Sequence, residues 1–201
     1  MTHTKAYRIF NENNKIEGRI SDVPVADIGR GEVVFRTAYS SVNFKDALAA
    51  TGVGGKIIRN YPLIGGIDAA GTVLSSSDTR FKANDEIICT SYDMGVAHDG
   101  GFSEICRVPA DWVVPLPRGL TLFDAMALGT AGYTAGLAVE LLELNGMAPN
   151  NGRVLVNGAT GGVASLAIDM LAALGYSVTA VTGKAAEHDF MRKIGATEIL
   201  D

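Results

Sequence analysis

Hydrophobic and polar positions follow two different periods along the chain. From residue 5 to residue 115, short apolar segments alternate with glycine, proline and asparagine turns at roughly ten-residue intervals, the pattern of a β-rich domain. Strands are predicted at Ala6 to Phe10, Glu32 to Tyr39, Ile67 to Leu74, Glu86 to Thr90, Phe102 to Val108 and Val113 to Pro115. The run from Gly31 to Ser40 is part alternating and part continuously apolar, which suits a strand of a small curled barrel. One helix is predicted among these strands, Asn43 to Ala50, ended by Thr51-Gly52. Near residue 121 the character changes. Thr121-Leu122-Phe123-Asp124 approximates a capping box, and an alanine- and leucine-rich helix runs from it to about Leu144. The domain boundary is placed there, giving 1–121 and 122–201.

Beyond that helix the period switches again. The apolar run Val154-Leu155-Val156 enters the turn Asn157-Gly158-Ala159-Thr160-Gly161-Gly162, and Val163, Leu166, Ala167, Met170, Leu171 and Leu174 leave it at helical spacing. Gly175 stops that helix and Val178 to Val181 follows as a strand, so the segment is a parallel βαβ unit. A glycine turn alone is as readily a tight turn. Strand, turn, amphipathic helix and second strand together are the context in which a variant G-x-G-x-x-G/A turn binds a dinucleotide pyrophosphate at a helix N-terminus. The last residues, Glu198-Ile199-Leu200-Asp201, look like the third strand of a doubly wound parallel sheet that stops there.

Composition narrows the function classes. At 201 residues, 47% hydrophobic and 19% charged, the chain can bury a core, and its formal charge of −5 includes no basic stripe for nucleic acid. The first residues lack an apolar signal-like stretch and no run of about 18 apolar residues occurs, so a cytoplasmic protein with neither membrane nor nucleic-acid partner is expected. Cys89 and Cys106 each lie in an apolar strand-like segment and read as buried free thiols.

Five motifs carry a resemblance: Ser40-Ser41-Val42-Asn43-Phe44-Lys45-Asp46, Gly65-Gly66-Ile67-Asp68-Ala69-Ala70-Gly71, Asp99-Gly100-Gly101-Phe102-Ser103-Glu104, Gly129-Thr130-Ala131-Gly132-Tyr133-Thr134-Ala135-Gly136, and the turn at 158–164. From residue 5 onward the chain resembles the medium-chain dehydrogenase/reductase superfamily. Within it the chain is similar to the zinc-independent quinone oxidoreductase branch of YhdH/YhfP type, which includes NADPH-dependent acrylyl-CoA reductases. The implied fold is a GroES-like N-terminal barrel followed by a Rossmann doubly wound parallel sheet. Two positions depart from the pattern: Gly65 stands where proline is common, and Ala164 replaces the third glycine.

The resemblance also implies a chemistry. Positions that hold zinc in the zinc-dependent branch are Asn43, Ile67 and Thr130 here, none a usual zinc ligand. Without a Lewis acid the expected reaction is hydride reduction of an activated acceptor, an α,β-unsaturated acyl thioester or a quinone, with NADPH as cofactor. Asn43 is expected to face the substrate or the nicotinamide carboxamide, or else to cap the helix after it. Asp68, a carboxylate among apolar neighbours, is a candidate proton relay or a structural acceptor, and Asp46 completes the catalytic set, orienting the helix or a ribose. Thr130 and Thr134, one helical turn apart, are expected near the nicotinamide, or back-bond to their helix. Gly161, Gly162 and Val163 are expected at the pyrophosphate. No acidic residue stands about 20 residues beyond the glycines, where NAD selection would place one. Thr182-Gly183-Lys184 stands there instead and suits a 2′-phosphate, or forms a turn with a solvated lysine. His98 is read as a surface loop histidine. Lys45, Lys56 and Arg59 are read as a solvated face or, as the alternative, a docking site for a coenzyme A phosphate. A full-length chain is expected as a homodimer. The alternative is a catalytically silent fragment that binds a nucleotide or a partner.

Overall fold

A computed structural model describes residues 2–53 and 57–201. The chain forms two compact units, residues 1–130 and 131–201.

The first unit opens with strands β1 (His3–Glu12) and β2 (Lys15–Pro24), paired antiparallel without a break from His3↔Pro24 to Glu12↔Lys15. They join through Asn13 and Asn14, whose φ angles of 54° and 64° lie in the left-handed region that asparagine tolerates and a two-residue hairpin needs. β2 is absent from the sequence-based strands because little of it faces a core; Ile20 is 70% exposed. Beyond β3 (Val33–Tyr39) and helix α1 (Phe44–Thr51), the short β4 (Leu63–Ile64) pairs with β1, completing a three-stranded sheet in the order β2-β1-β4. β3 belongs with β5 (Asp68–Ser76), β6 (Glu86–Thr90), β7 (Ile105–Val108) and β8 (Val113–Pro115) in an antiparallel sheet of order β7-β3-β5-β6-β8. The two sheets are joined where Ala6 bridges Ser103 and the Tyr7 N–H donates to the Phe102 carbonyl at 2.8 Å. Alternate residues of the larger sheet, among them Val33, Phe35, Val73, Ile87, Cys89, Cys106 and Val108, form its core. Both thiols are buried, and burial pushes each above the usual thiol range.

Helical residues Leu122–Leu144 (α2) coincide with the helix expected from the sequence but do not form one regular helix. Gly129, at φ 50° and ψ −154°, breaks it, a conformation open to glycine and costly for residues with a Cβ. By length and mean hydropathy this helix is long and apolar enough to cross a membrane. Asp124, Thr130, Thr134, Glu140 and Glu143 interrupt its apolar run.

The second unit contains β9 (Arg153–Asn157), α3 (Gly162–Ala173), β10 (Ser177–Val181), α4 (His188–Lys193) and β11 (Ala196–Leu200). The strands are parallel in the order β11-β10-β9, a partial Rossmann-like sheet. Its core gathers Ile168, Leu171, Val178, Ala180 and Met191. The face of α3 differs in part from the expected stripe: Leu171 is buried as expected, but so is Ile168, while Val163 is 41% and Leu174 50% exposed. Apolar residues surround this helix on nearly every side, so periodicity alone does not pick the inward face. Helix α4 carries mostly charged residues around the buried Met191, too short and too polar a pattern to register in the sequence.

Candidate active site

Asp68 opens β5 and is fully buried, although polar groups rather than its apolar sequence neighbours surround its carboxylate. Asn43 Nδ2 donates to Asp68 Oδ2 at 2.8 Å, and the Thr130 N–H donates to the same oxygen at 2.9 Å. The Thr130 hydroxyl donates to Oδ1 at 2.5 Å. Ser40 Oγ holds the Asp68 carbonyl at 2.9 Å. Three donors on one buried carboxylate offset the desolvation of its charge, which an unpaired group could not bear.

The chain reaches this arrangement through two local devices. Asn43 is the N-cap of α1, with extended φ −112° and ψ 158°. Asp46, one turn into the helix, accepts the Asn43 N–H at 2.8 Å, the half of a capping box that fixes how the chain enters the helix. Its other oxygen accepts the Ile67 N–H at 3.0 Å, so Asp46 ties the start of α1 to the residue before Asp68. Asp46 is 5% exposed. Burial raises its pKa above the ordinary aspartate value and the negative charge of Asp68 adds to the rise, while the bonds from Asn43 and Ile67 oppose it. The second device is Gly129: a side-chain carbon there would lie 2.5 Å from Ser41 Oγ and 2.8 Å from Asp68 Oδ2, so the helix break is also what brings the Thr130 N–H to the carboxylate.

Asn43, Asp46, Asp68 and Thr130 therefore converge, and a fifth residue that sequence reasoning missed joins them. Ser91 Oγ lies 2.8 Å from Thr130 Oγ1 across 39 residues of sequence, a proximity with no local signal. Thr134, one helical turn beyond Thr130, is exposed.

In the second unit the glycine turn leaves β9. Gly158 adopts φ 63°, and the Gly161 N–H closes the turn on the Gly158 carbonyl at 2.8 Å. α3 then begins with Gly161, Gly162 and Val163 all exposed and with no side-chain cap at its N-terminus, which leaves its first N–H groups without a side-chain acceptor. The Ala159 N–H bonds the Val181 carbonyl at 3.1 Å, which sets this turn beside the end of β10. Thr182, Gly183 and Lys184 follow there. Thr182 is buried and its hydroxyl accepts the Lys184 N–H at 3.2 Å, whereas Gly183 and Lys184 are exposed. Gly161, Gly162, Val163, Thr182, Gly183 and Lys184 thus share one end of the sheet, where neighbouring parallel strands terminate.

His98 is half-buried rather than solvated: its Nδ1 donates to the Asp99 carbonyl at 2.9 Å, and its ring stands edge-on to Trp112 at 5.1 Å. Asp99 in turn accepts the Gly29 and Ile64 N–H groups, each at 2.9 Å, so the pair pins two loops. A cavity of about 580 Å³ lined by Arg30, His98, Asp99 and Arg107 lies there and holds none of the nominated residues. Arg59 pairs with Asp93 at 3.7 Å, Lys45 is exposed, and Lys56 lies outside the described residues. Among the described residues no three His, Cys, Asp or Glu side chains gather in an arrangement that could hold a metal ion.

Residues 29–118 match the alcohol dehydrogenase GroES-like domain. The chain is 48% identical over 189 residues to an acrylyl-CoA reductase, AcuI, of Ruegeria pomeroyi, covering 94% of this chain and 57% of the relative. Among solved structures, the YhdH oxidoreductase of Salmonella enterica in complex with NADP superposes with a TM-score of 0.95 at 44% identity, covering 98% of this chain and 60% of that one. Protein YhfP of Bacillus subtilis with NAD bound superposes with a TM-score of 0.96 at 47% identity, covering 100% and 60%. The chain thus spans less than two thirds of the length of each. With its GroES-like domain followed by a partial Rossmann-like sheet, the chain is similar to zinc-independent, quinone oxidoreductase-type medium-chain dehydrogenases/reductases.

Proposed function

We propose that this chain takes part in NADPH-dependent reduction of an activated double bond or a quinone, the acceptor being an α,β-unsaturated acyl thioester such as acrylyl-CoA or a quinone. The observation that carries this reading is the buried Asp68 carboxylate with Asn43 and Thr130 donating to it, an organised polar site at positions to which the family resemblance assigns zinc ligands in the zinc-dependent branch. NADPH, when bound, supplies the hydride. The chain's own work is to position, to donate hydrogen bonds and to manage a proton. Asn43, held by Asp68, presents its amide to the acceptor oxygen or the nicotinamide carboxamide. Asp68 orients Asn43 and holds or passes a proton, and Asp46 keeps α1 and the Ile67–Asp68 backbone in register. Thr130 and Thr134 serve the nicotinamide end, and Gly161, Gly162 and Val163 offer helix N–H groups to the pyrophosphate. Thr182, Gly183 and Lys184 take the 2′-phosphate. In this reading residues 1–121 are the substrate and catalytic domain, residues 122–201 begin the dinucleotide domain, and the protein is a cytoplasmic homodimer in its full-length form.

The test is cofactor choice. Lys184 is exposed, so of the ~1.5–3 kcal/mol of a hydrogen bond to a charged group only the lower end is expected, about a tenfold preference for NADPH. Lys184→Asp should weaken NADPH binding by about that factor and leave NADH nearly unchanged, measured by nicotinamide fluorescence titration, and added salt should weaken wild-type NADPH binding preferentially. Equal loss for both cofactors would remove Lys184 as the selector.

A further inference from the structure

We propose that Ser91 is the outer member of a hydroxyl relay, Ser91 to Thr130 to Asp68, that carries a proton to Asp68 Oδ1. The direction of the chain follows from what each group can donate. An ionised carboxylate only accepts, so the single hydroxyl proton of Thr130 lies on its 2.5 Å bond to Asp68 Oδ1. The 2.8 Å contact between the two hydroxyls then has Ser91 as the donor. Asp68 Oδ2 is committed to Asn43 Nδ2 and the Thr130 N–H, which leaves Oδ1 as the oxygen that can take a proton.

The backbone aims Ser91 at this task. Thr90, the last residue of β6, pairs with Asp68 itself, and the Ser91 N–H bonds the Ile67 carbonyl at 2.8 Å. The chain then turns through left-handed conformations at Ser91 (φ 63°) and Tyr92 (φ 50°), two consecutive residues with a Cβ in a region they rarely occupy. Strain of this kind persists where the surroundings hold it and marks sites with a task. Ser91 is half-buried, so its oxygen stands between the buried carboxylate and the surface.

One passage moves one proton and no electron pair between molecules. A water-borne proton binds Ser91 Oγ, the Ser91 hydroxyl proton moves to Thr130 Oγ1, and the Thr130 hydroxyl proton moves to Asp68 Oδ1, leaving both hydroxyls neutral and Asp68 a carboxylic acid. Resting on the reductase reading, the Asp68 O–H bond then breaks as the proton passes to the enolate formed by hydride addition, and Asp68 returns to a carboxylate. Ser91 acts through Thr130 and is a positioning residue.

The experiment uses Ser91→Ala and Ser91→Gly, the second because a φ of 63° suits glycine and leaves the fold unstrained. In the 201-residue chain, the 13C carboxyl resonance of Asp68, assigned by its loss in Asp68→Asn, should move in both variants. In the protein turning over NADPH with an enoyl thioester or quinone, both should lower kcat by about tenfold, the size of one lost hydrogen bond, with KM for NADPH unchanged and the solvent deuterium isotope effect increased. An Asp68 resonance unmoved in both variants overturns the relay. A moved resonance with unchanged kcat and isotope effect also overturns it, leaving a purely structural bond. A wild type that oxidises NADPH with neither acceptor refutes the reductase reading, while the resonance still decides whether the hydroxyl chain to Asp68 exists.

Discussion

Gly129 shows how much one residue can decide. Its φ of 50° breaks α2, and the space a side chain would need is already filled by Ser41 Oγ and Asp68 Oδ2. Gly129→Ala should therefore destabilise the protein by about 1–3 kcal/mol through backbone strain and the clash at Asp68. Gly136 lies in the same helical stretch with open space at its Cβ position, and Gly136→Ala should stabilise by about 0.5–1 kcal/mol through helix propensity. Urea unfolding of the two variants measures both; a Gly129→Ala variant as stable as the wild type or more so would show that a side chain at 129 meets neither strain nor clash. Residue by residue, the sequence made Asn43, Asp46 and Asp68 visible through the motifs that contain them. Ser91 was invisible because its partner, Thr130, comes from a distant part of the chain.

At the scale of elements, the opening of α2 bears out the capping box expected at Thr121 to Asp124. The Thr121 hydroxyl donates to Asp124 Oδ2 at 2.6 Å, the Thr121 N–H donates to the same oxygen at 3.1 Å, and the Asp124 N–H returns to Thr121 Oγ1 at 3.1 Å. The bonds from Thr121 hold the Asp124 carboxyl below its usual range. A depressed folded value means that the stabilisation is fully present above the unfolded aspartate pKa of about 3.9 and is lost as pH falls through the folded value. Thr121→Ala should cost about 1 kcal/mol at neutral pH. The difference in melting temperature between wild type and Asp124→Asn should shrink on acidification below about pH 4; a difference independent of pH would mean that the carboxylate charge plays no part in the cap. The β1–β2 hairpin teaches the opposite lesson. Asn13-Asn14 was a usable turn signal, but a strand that buries so little has no apolar face to announce it.

For the molecule as a whole, Asn43, Ile67 and Thr130, which the family resemblance sets at the zinc-ligand positions, lead to the expectation of a metal-independent protein. Purified protein should carry well under one equivalent of zinc, and chelator should leave its melting temperature unchanged; near-equimolar, tightly held zinc by elemental analysis would sink that expectation. What the sequence by itself determined is what local pattern can encode. Alternation of apolar residues marked most strands of the first unit, and the strand, glycine turn, helix and strand from Arg153 to Val181 marked the parallel unit, because each signal is complete within a few turns of chain. The tertiary structure alone decided the inward face of α3, since a helix apolar on most sides has no preferred stripe until a sheet is laid against it. It decided that the long helix breaks at Gly129, because glycine's tolerance becomes a break only where Ser41 and Asp68 occupy the space beside it. It also decided the surroundings of Asp68, whose apolar sequence neighbours say nothing of the donors that Asn43 and Thr130 bring from 25 and 62 residues away. Hydrogen bonds between distant segments leave no periodicity in the sequence, so the polar site emerges only when the strands that carry it have paired.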